Sequence, residues 1–245
     1  MRLLAIDSST DTLSVALGSG APDDEVLVFS GPGAAQASAT LLPTVQSLLA
    51  QAGWSLASLD AVVFGRGPGS FTGLRTACAV AQGLAYGAGG LPVLPVDTLL
   101  ALAEAARQQR LQQGLALPAF TAALLDARMD EIYVALYRNG PLAVSHEPLQ
   151  PPRLCAPEAL ASWLADVQPE AEGACLLAGN VFDVYGGRLQ GLDGPRQPAL
   201  PTAAALLSLA PALLAGGHAV AASEALPLYV RDKVARTTQE REGAR

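Results

Sequence analysis

Two stretches far apart in the chain share one form. Leu3-Leu4-Ala5-Ile6 ends at Asp7, and Ala122-Ala123-Leu124-Leu125 ends at Asp126. Each apolar run is followed by a short polar turn and a second apolar run, Leu13–Leu17 in one case and Glu131–Tyr137 in the other. A short, continuous apolar run bounded by turn residues reads as a buried strand, and the Ser/Thr/Asp turn brings the chain back antiparallel. A sequence that opens twice in this way is expected to build two related sheets, each with an aspartate at a strand tip.

The intervening pattern fits that expectation. After a third strand at Glu25–Phe29, the spacing of Leu41, Leu42, Val45, Leu48, Leu49 and Ala52 predicts a helix, closed by Gly53. Pro43 fits in its first turn or at a kink. A strand at Ala61–Phe64, a helix over 72–87, a strand at Pro92–Val96 and a helix from Thr98 to Gln113 follow. Three strands and then strand–helix–strand–helix describe a mixed sheet with helices on its faces, an α/β layer fold. A linker around 112–118 separates units 1–113 and 118–245. The second unit adds a hairpin turn at Asn139-Gly140, a helix at Pro157–Val167, a strand at Ala174–Ala178 and a helix at Ala203–Leu214 interrupted by Pro211. That last helical segment is able to pack back on the first unit. The final ten residues are polar and expected to fray.

Composition narrows the class. At 51% hydrophobic and 15% charged residues, most of the chain must fold, and 5% aromatics make the core aliphatic. The net charge is −7 and Lys233 is the sole lysine, so a polyanion would have to be held mainly by a partner's basic surface. Cys78, Cys155 and Cys175 have no metal or redox spacing and are expected as three buried thiols. The first apolar run is too short for a secretory leader, and Ala77–Pro95 is broken by Gln82, glycines and prolines. A soluble cytoplasmic protein is the expectation.

The stretch GRGPGSFTGLR, from Gly65 to Arg75, looks like a phosphate loop but fails the tests for one. Leu74-Arg75 follows Gly73 where a nucleotide-binding loop needs lysine and a hydroxyl, and Gly67, Gly69 and Gly73 are spaced one residue too long for a dinucleotide loop. Three readings remain: a tight turn with Ser70 or Thr72 capping the helix, an anion site aided by Arg66 or Arg75, or a partner contact. The helix after it carries Leu74, Ala77, Cys78, Ala81 and Ala85 on one face and Ala79, Gly83 and Gly87 on another. A helix apolar or small on two sides packs on two sides. One neighbour is the sheet; the other is either the Leu41–Ala52 helix or a helix of a partner. His146 and His218 lack a second histidine at helical spacing, and Ser70 has no local base, so neither metal nor peptidase chemistry is expected. Asp130 and Glu131 are neighbours at a strand start and read as solvated charges, whereas Tyr133 and Tyr137 share one sheet face.

Four strings, LLAIDSSTDTLSVAL, GPGSFTGLRTACAVAQGLA, DARMDEIYVALY and PLYVRDKVA, resemble the TsaB (YeaZ) family in sequence and order. That family lies in the actin/Hsp70/sugar-kinase (ASKHA) superfamily. The resemblance implies a non-catalytic scaffold that binds a TsaD-type catalytic subunit and a TsaE-type ATPase. Together they place threonylcarbamoyl on the adenosine 3′ of certain tRNA anticodons, with tRNA reached indirectly through the complex. It also implies self-pairing through the same surface when TsaD is absent. The implied interface comprises Leu41, Leu42, Val45, Leu74, Cys78, Ala81, Gly83 and Ala85, and Ala81→Arg or Gly83→Leu is expected to break the complex with the fold intact.

Catalytic members of the superfamily grip phosphate with two hairpins of the form D-x-G-x-T/S. Here Ser9 and Arg128 replace those glycines, and Leu177-Ala178-Gly179-Asn180 has one glycine where the superfamily usually has a pair. Asp7 and Asp126 then read as turn-formers. The alternative, a nucleotide-dependent kinase or ATPase of the same fold, leaves Asp7, Ser9, Thr10, Arg66, Ser70 and Arg75 as candidate anion or nucleotide contacts. The family often keeps a histidine before Leu-Leu-Pro, but Ala37–Pro43 has none. No cofactor and no metal are expected.

Overall fold

The computed structural model describes residues 1–21, 24–33, 36–167 and 174–231; the tail expected to fray lies outside them. Strands β1 (Leu3–Asp7), β2 (Thr12–Gly18), β3 (Leu27–Pro32), β4 (Ala61–Gly67) and β5 (Val93–Asp97) form one sheet in the order β3-β2-β1-β4-β5. Strands β6 (Phe120–Asp126), β7 (Ile132–Arg138), β8 (Gln150–Cys155), β9 (Cys175–Gly179) and β10 (Arg196–Pro198) form a second in the order β10-β9-β6-β7-β8. Read from its other edge, the second order repeats the first. In each sheet the opening strand pairs antiparallel with the next and parallel with the fourth, so β1 corresponds to β6 and Asp7 to Asp126. The expected pair of related mixed sheets is therefore present, with the same topology twice.

Helices fill both sides of each sheet. Helix α1 (Ala37–Ala52) and helix α2 (Phe71–Gly87) cover the outer face of the first sheet, and α4 (Leu160–Val167) with the short α5 (Val181–Tyr185) covers the outer face of the second. Helices α3 (Thr98–Gln112) and α6 (Ala203–Ala215) lie between the sheets. Strand alternation sorts the side chains: Leu4 and Ile6 join the outer core under α1 and α2, while Leu3 and Ala5 face the central layer. Helix α6 belongs to the second half of the sequence yet packs on β1, β2 and β4. Its N-cap region is tied there by Ala203 N–H donating to Ser14 Oγ at 2.9 Å.

Several elements differ from expectation: β3 lies at Leu27–Pro32, later than the expected Glu25–Phe29, and the short α5 was not foreseen. Helix α1 begins at Ala37, a turn before Leu41, so of the two places expected for Pro43, the first turn or a kink, the first is excluded. Strands β8 and β10 went unseen because QPPRLC carries two prolines and RQP spans three residues; both are edge strands, where a missing donor is tolerated. All three cysteines are buried and free, as expected; burial pushes each thiol up, that of Cys175 to about 12.

Candidate functional site

The two aspartate-tipped hairpins face each other across a cavity of about 380 Å³. Ser9 to Thr12 form one lip and Asp126 to Met129 the other, with Ser70, Phe71 and the segment 228–231 closing the side. Each aspartate organises its own turn. Asp7 Oδ1 accepts from Ser9 N–H at 3.1 Å and Ser9 Oγ at 2.8 Å, and Asp126 Oδ1 accepts from Arg128 N–H at 2.8 Å. Thr10 Oγ1 accepts from Thr12 N–H at 3.1 Å. These are the turn-forming roles read from the sequence.

Both carboxylates are withdrawn from solvent in different ways. Asp7 is 1% exposed, its Oδ2 has no partner, and burial raises its carboxyl to about 6 despite the two Ser9 bonds. Asp126 is spoken for by Tyr185, whose hydroxyl donates to Oδ1 at 2.7 Å, and by the Arg128 guanidinium at 3.3 Å. Burial, then the bond to Asp126, raises the Tyr185 hydroxyl well above its usual value. Arg128 takes φ 60°, the left-handed conformation a glycine would adopt without strain, and Met129 and Asp130 follow it at 56° and 61°. The turn keeps the glycine geometry but carries a guanidinium, which also pairs with Asp11 across the mouth of the cleft. Beyond the turn, Asp130 pairs with Arg188 in solvent, as expected of a solvated charge, whereas Glu131 pairs with Arg231, whose side chain is largely buried.

The glycine-rich loop is consumed by contacts within the chain. A Cβ on Gly65 would lie 2.0 Å from Asp7 Oδ2, one on Gly69 2.4 Å from Ser9 O, and one on Gly73 1.7 Å from Ser8 O. Ser9 O accepts from Ser70 N–H at 2.7 Å, and Ser70 Oγ caps α2 by accepting from Gly73 N–H at 3.4 Å. The loop's glycines thus let the start of α2 press on the first hairpin. The two arginines are also engaged. Arg66 Nε meets Asp97 Oδ1 at 2.5 Å, while Arg75 lies 3.7 Å over the Phe71 ring and donates to Tyr229 Oη at 3.0 Å. Of the six candidate anion contacts, Ser9, Thr10 and Ser70 line the cleft; Asp7, Arg66 and Arg75 do not.

The interface expectation needs correcting residue by residue. Leu41, Val45, Leu74, Cys78, Ala81 and Ala85 are buried in this chain, all but Leu74 in the core that α1 and α2 share with the first sheet. An apolar helix face is what the chain's own sheet covers, so these six cannot be presented to a partner. Ala81→Arg would place an unpaired charge in that core and so tests the fold, not an interface. Leu42 and Gly83 remain, 45% exposed in the first case and open to solvent in the second. A Cβ built on Gly83 or Gly87 meets nothing within 4 Å, and the intervening Tyr86 is 83% exposed. The small-residue face of α2 is therefore not packed on α1.

Segment 225–231 closes another side of α2. Ala225 O accepts from Cys78 Sγ at 3.2 Å and Gln82 Nε2 at 2.8 Å, Leu228 N–H donates to Arg66 O at 2.7 Å, and Arg231 Nη2 reaches Glu131 Oε2 at 2.5 Å. This strap ties the glycine-rich loop beside the first sheet to the hairpin of the second.

Comparison with known proteins gives this architecture a family. A family model described as TsaD, tRNA N6-adenosine threonylcarbamoyltransferase, matches residues 33–183. The tRNA threonylcarbamoyladenosine biosynthesis protein TsaB of Haemophilus influenzae is 34% identical over 245 residues, covering 96% of this chain and 95% of that protein. That of Escherichia coli is 34% identical over 241 residues, covering 96% of each. The chain belongs to the TsaB family. The solved structure of YeaZ from Pseudomonas aeruginosa, 36% identical, superposes with a TM-score of 0.78 over 93% of this chain and 99% of that one. Two mixed sheets of like topology enclose shared central helices, the paired-sheet arrangement expected from the duplicated hairpins. In this TsaB-family chain, sequence reasoning named Asn180 only as part of a glycine-poor stretch and missed that its Oδ1 accepts from Asp126 N–H at 2.8 Å; it missed Tyr185 altogether. It also missed what the string PLYVRDKVA does, for Leu228 to Arg231 wall the cleft.

Proposed function

We propose that this protein is a non-catalytic scaffold in tRNA N6-threonylcarbamoyladenosine synthesis. It binds and activates a TsaD-type catalytic subunit and, with it, a TsaE-type ATPase in the cytoplasm, and it contacts tRNA through the complex. The observation that carries this reading is the outer face of α2. Gly83 and Gly87 leave a shallow open track beside the protruding Tyr86, with Leu42 exposed on the neighbouring α1. Small residues let a second helix approach closely, and a projecting tyrosine supplies an anchor. The same face serves self-pairing when the catalytic subunit is absent. The units are 1–113 and 118–245, joined by α6 and the strap.

The state of the cleft favours a scaffold over a kinase or ATPase. Phosphate transfer needs free carboxylates and backbone N–H groups aimed at a phosphate. Asp7 is sealed, Asp126 is held by Tyr185 and Arg128, and the hairpin N–H groups of Ser9 and Arg128 are used by their own aspartates. No helix among the described residues is long and apolar enough to cross a membrane.

Gly83→Leu is expected to abolish co-elution with a TsaD-type subunit from the same source while leaving the melting temperature within a few degrees of the parent. A complex that survives Gly83→Leu and Tyr86→Ala together places the interface elsewhere. ATP turnover by the isolated chain would instead favour the enzyme reading.

A further inference from the structure

The sequence has two histidines, and the fold brings them together. His146 follows the hairpin turn after β7, and His218 follows the C-terminus of α6; their ring centres are 5.2 Å apart with the planes at 64°. Both are exposed, and neither lines the cleft. Neither imidazole donates or accepts a hydrogen bond among the described residues, so the ring nitrogens are not committed elsewhere.

The backbone under each ring is fixed. Arg138 O accepts from Ser145 N–H at 2.9 Å, Glu104 Oε2 accepts from Val144 N–H at 2.9 Å, and Arg107 Nη2 donates to Pro141 O at 2.9 Å. Glu104 and Arg107 belong to α3 and are buried, so the turn that carries His146 is anchored to the central layer. His218 is set by the terminus of α6: its N–H donates to Leu213 O at 3.1 Å, and its Nε2 edge lies over Gly216. Two ligands on stiff, separate supports lose little freedom on binding.

The rings meet edge-on, and the distance between their centres is also one that two imidazoles on a single ion would adopt. With metal–nitrogen bonds of about 2.0–2.1 Å and a tetrahedral angle, two imidazoles on one zinc have ring centres roughly 5 Å apart. Imidazole pairs suit zinc, copper and nickel, whereas magnesium and calcium need oxygen donors. No group of three or more His, Cys, Asp or Glu side chains converges among the described residues, so water must complete the shell.

We propose that His146 and His218 form a two-imidazole surface site for a zinc-class divalent metal. A bound ion staples the turn of the second sheet to the end of α6, the helix that packs on the first sheet, and so holds the two halves together. The site is independent of the scaffold reading, since it uses no residue of the cleft or of the outer face of α2. Local spacing rules overlook it because the two ligands lie in separate elements.

Isothermal titration of the full chain with zinc chloride tests it. One zinc per chain is expected, with a zinc-dependent rise in melting temperature. His146→Ala and His218→Ala should each weaken uptake by at least ~10-fold and abolish that rise, and magnesium should not compete. Both side chains are exposed, so the variants should fold. No zinc uptake by the parent chain, or uptake and a melting rise that survive both substitutions, overturns the proposal.

Discussion

Gly73→Ala is expected to destabilise the protein by roughly 3–5 kcal/mol, although alanine is ordinarily the better helix former by about 1 kcal/mol. Gly73 sits in the first turn of α2, and an added Cβ would lie 1.7 Å from Ser8 O. That is about half a normal van der Waals separation. Relief is blocked on both sides. Ser8 is buried, its Oγ donates to Gly73 O at 2.8 Å, and the next residue of the hairpin holds Ser70 N–H. The methyl group must therefore prise the start of α2 from the hairpin. Gly83→Ala on the same helix meets open space and should raise stability by up to about 1 kcal/mol. Urea denaturation of the two variants measures the contrast. A Gly73→Ala midpoint close to that of the parent would mean that the loop is not mounted on the hairpin.

The same contrast explains what the sequence disclosed and what it hid. The duplicated hairpins were legible because an apolar run with an aspartate at its end needs no tertiary information to be recognised. The topology of the second sheet was only partly legible, since its edge strands, β8 and β10, are polar, proline-bearing or short. In α2 the spacing showed two faces but not which one the chain covers. Ala81 and Gly83 are both small, and only packing separates a residue that is 0% exposed from its open neighbour. Arg66 and Arg75 resembled anion ligands because their partners, Asp97 and Tyr229, lie on other elements. The strap and the histidine pair were hidden for that reason too: both depend on contacts between residues distant in sequence.

Asp7→Asn is expected to make stability respond differently to pH, and the direction follows from the raised carboxyl. Asp7 ionises near 3.8 when unfolded and at about 6 in the native protein, chiefly because burial disfavours its charge. Between those values the native state binds more protons than the unfolded state, so this group's contribution to stability falls as pH rises. Below about pH 4 the carboxyl is neutral in both states and carries no charge penalty. Above about pH 6 the charge is buried and the penalty is complete, on the order of 3 kcal/mol. The asparagine retains an acceptor for Ser9 N–H and Oγ, and its amide replaces an oxygen that has no partner beside Gly65. Subtracting the parent's unfolding free energy from that of Asp7→Asn should give a difference that grows in favour of the variant from pH 4 to 6 and then levels off. Urea melts at matched pH values provide it. A difference that stays flat would show that Asp7 ionises in the native protein as it does in the unfolded chain, with no penalty from burial.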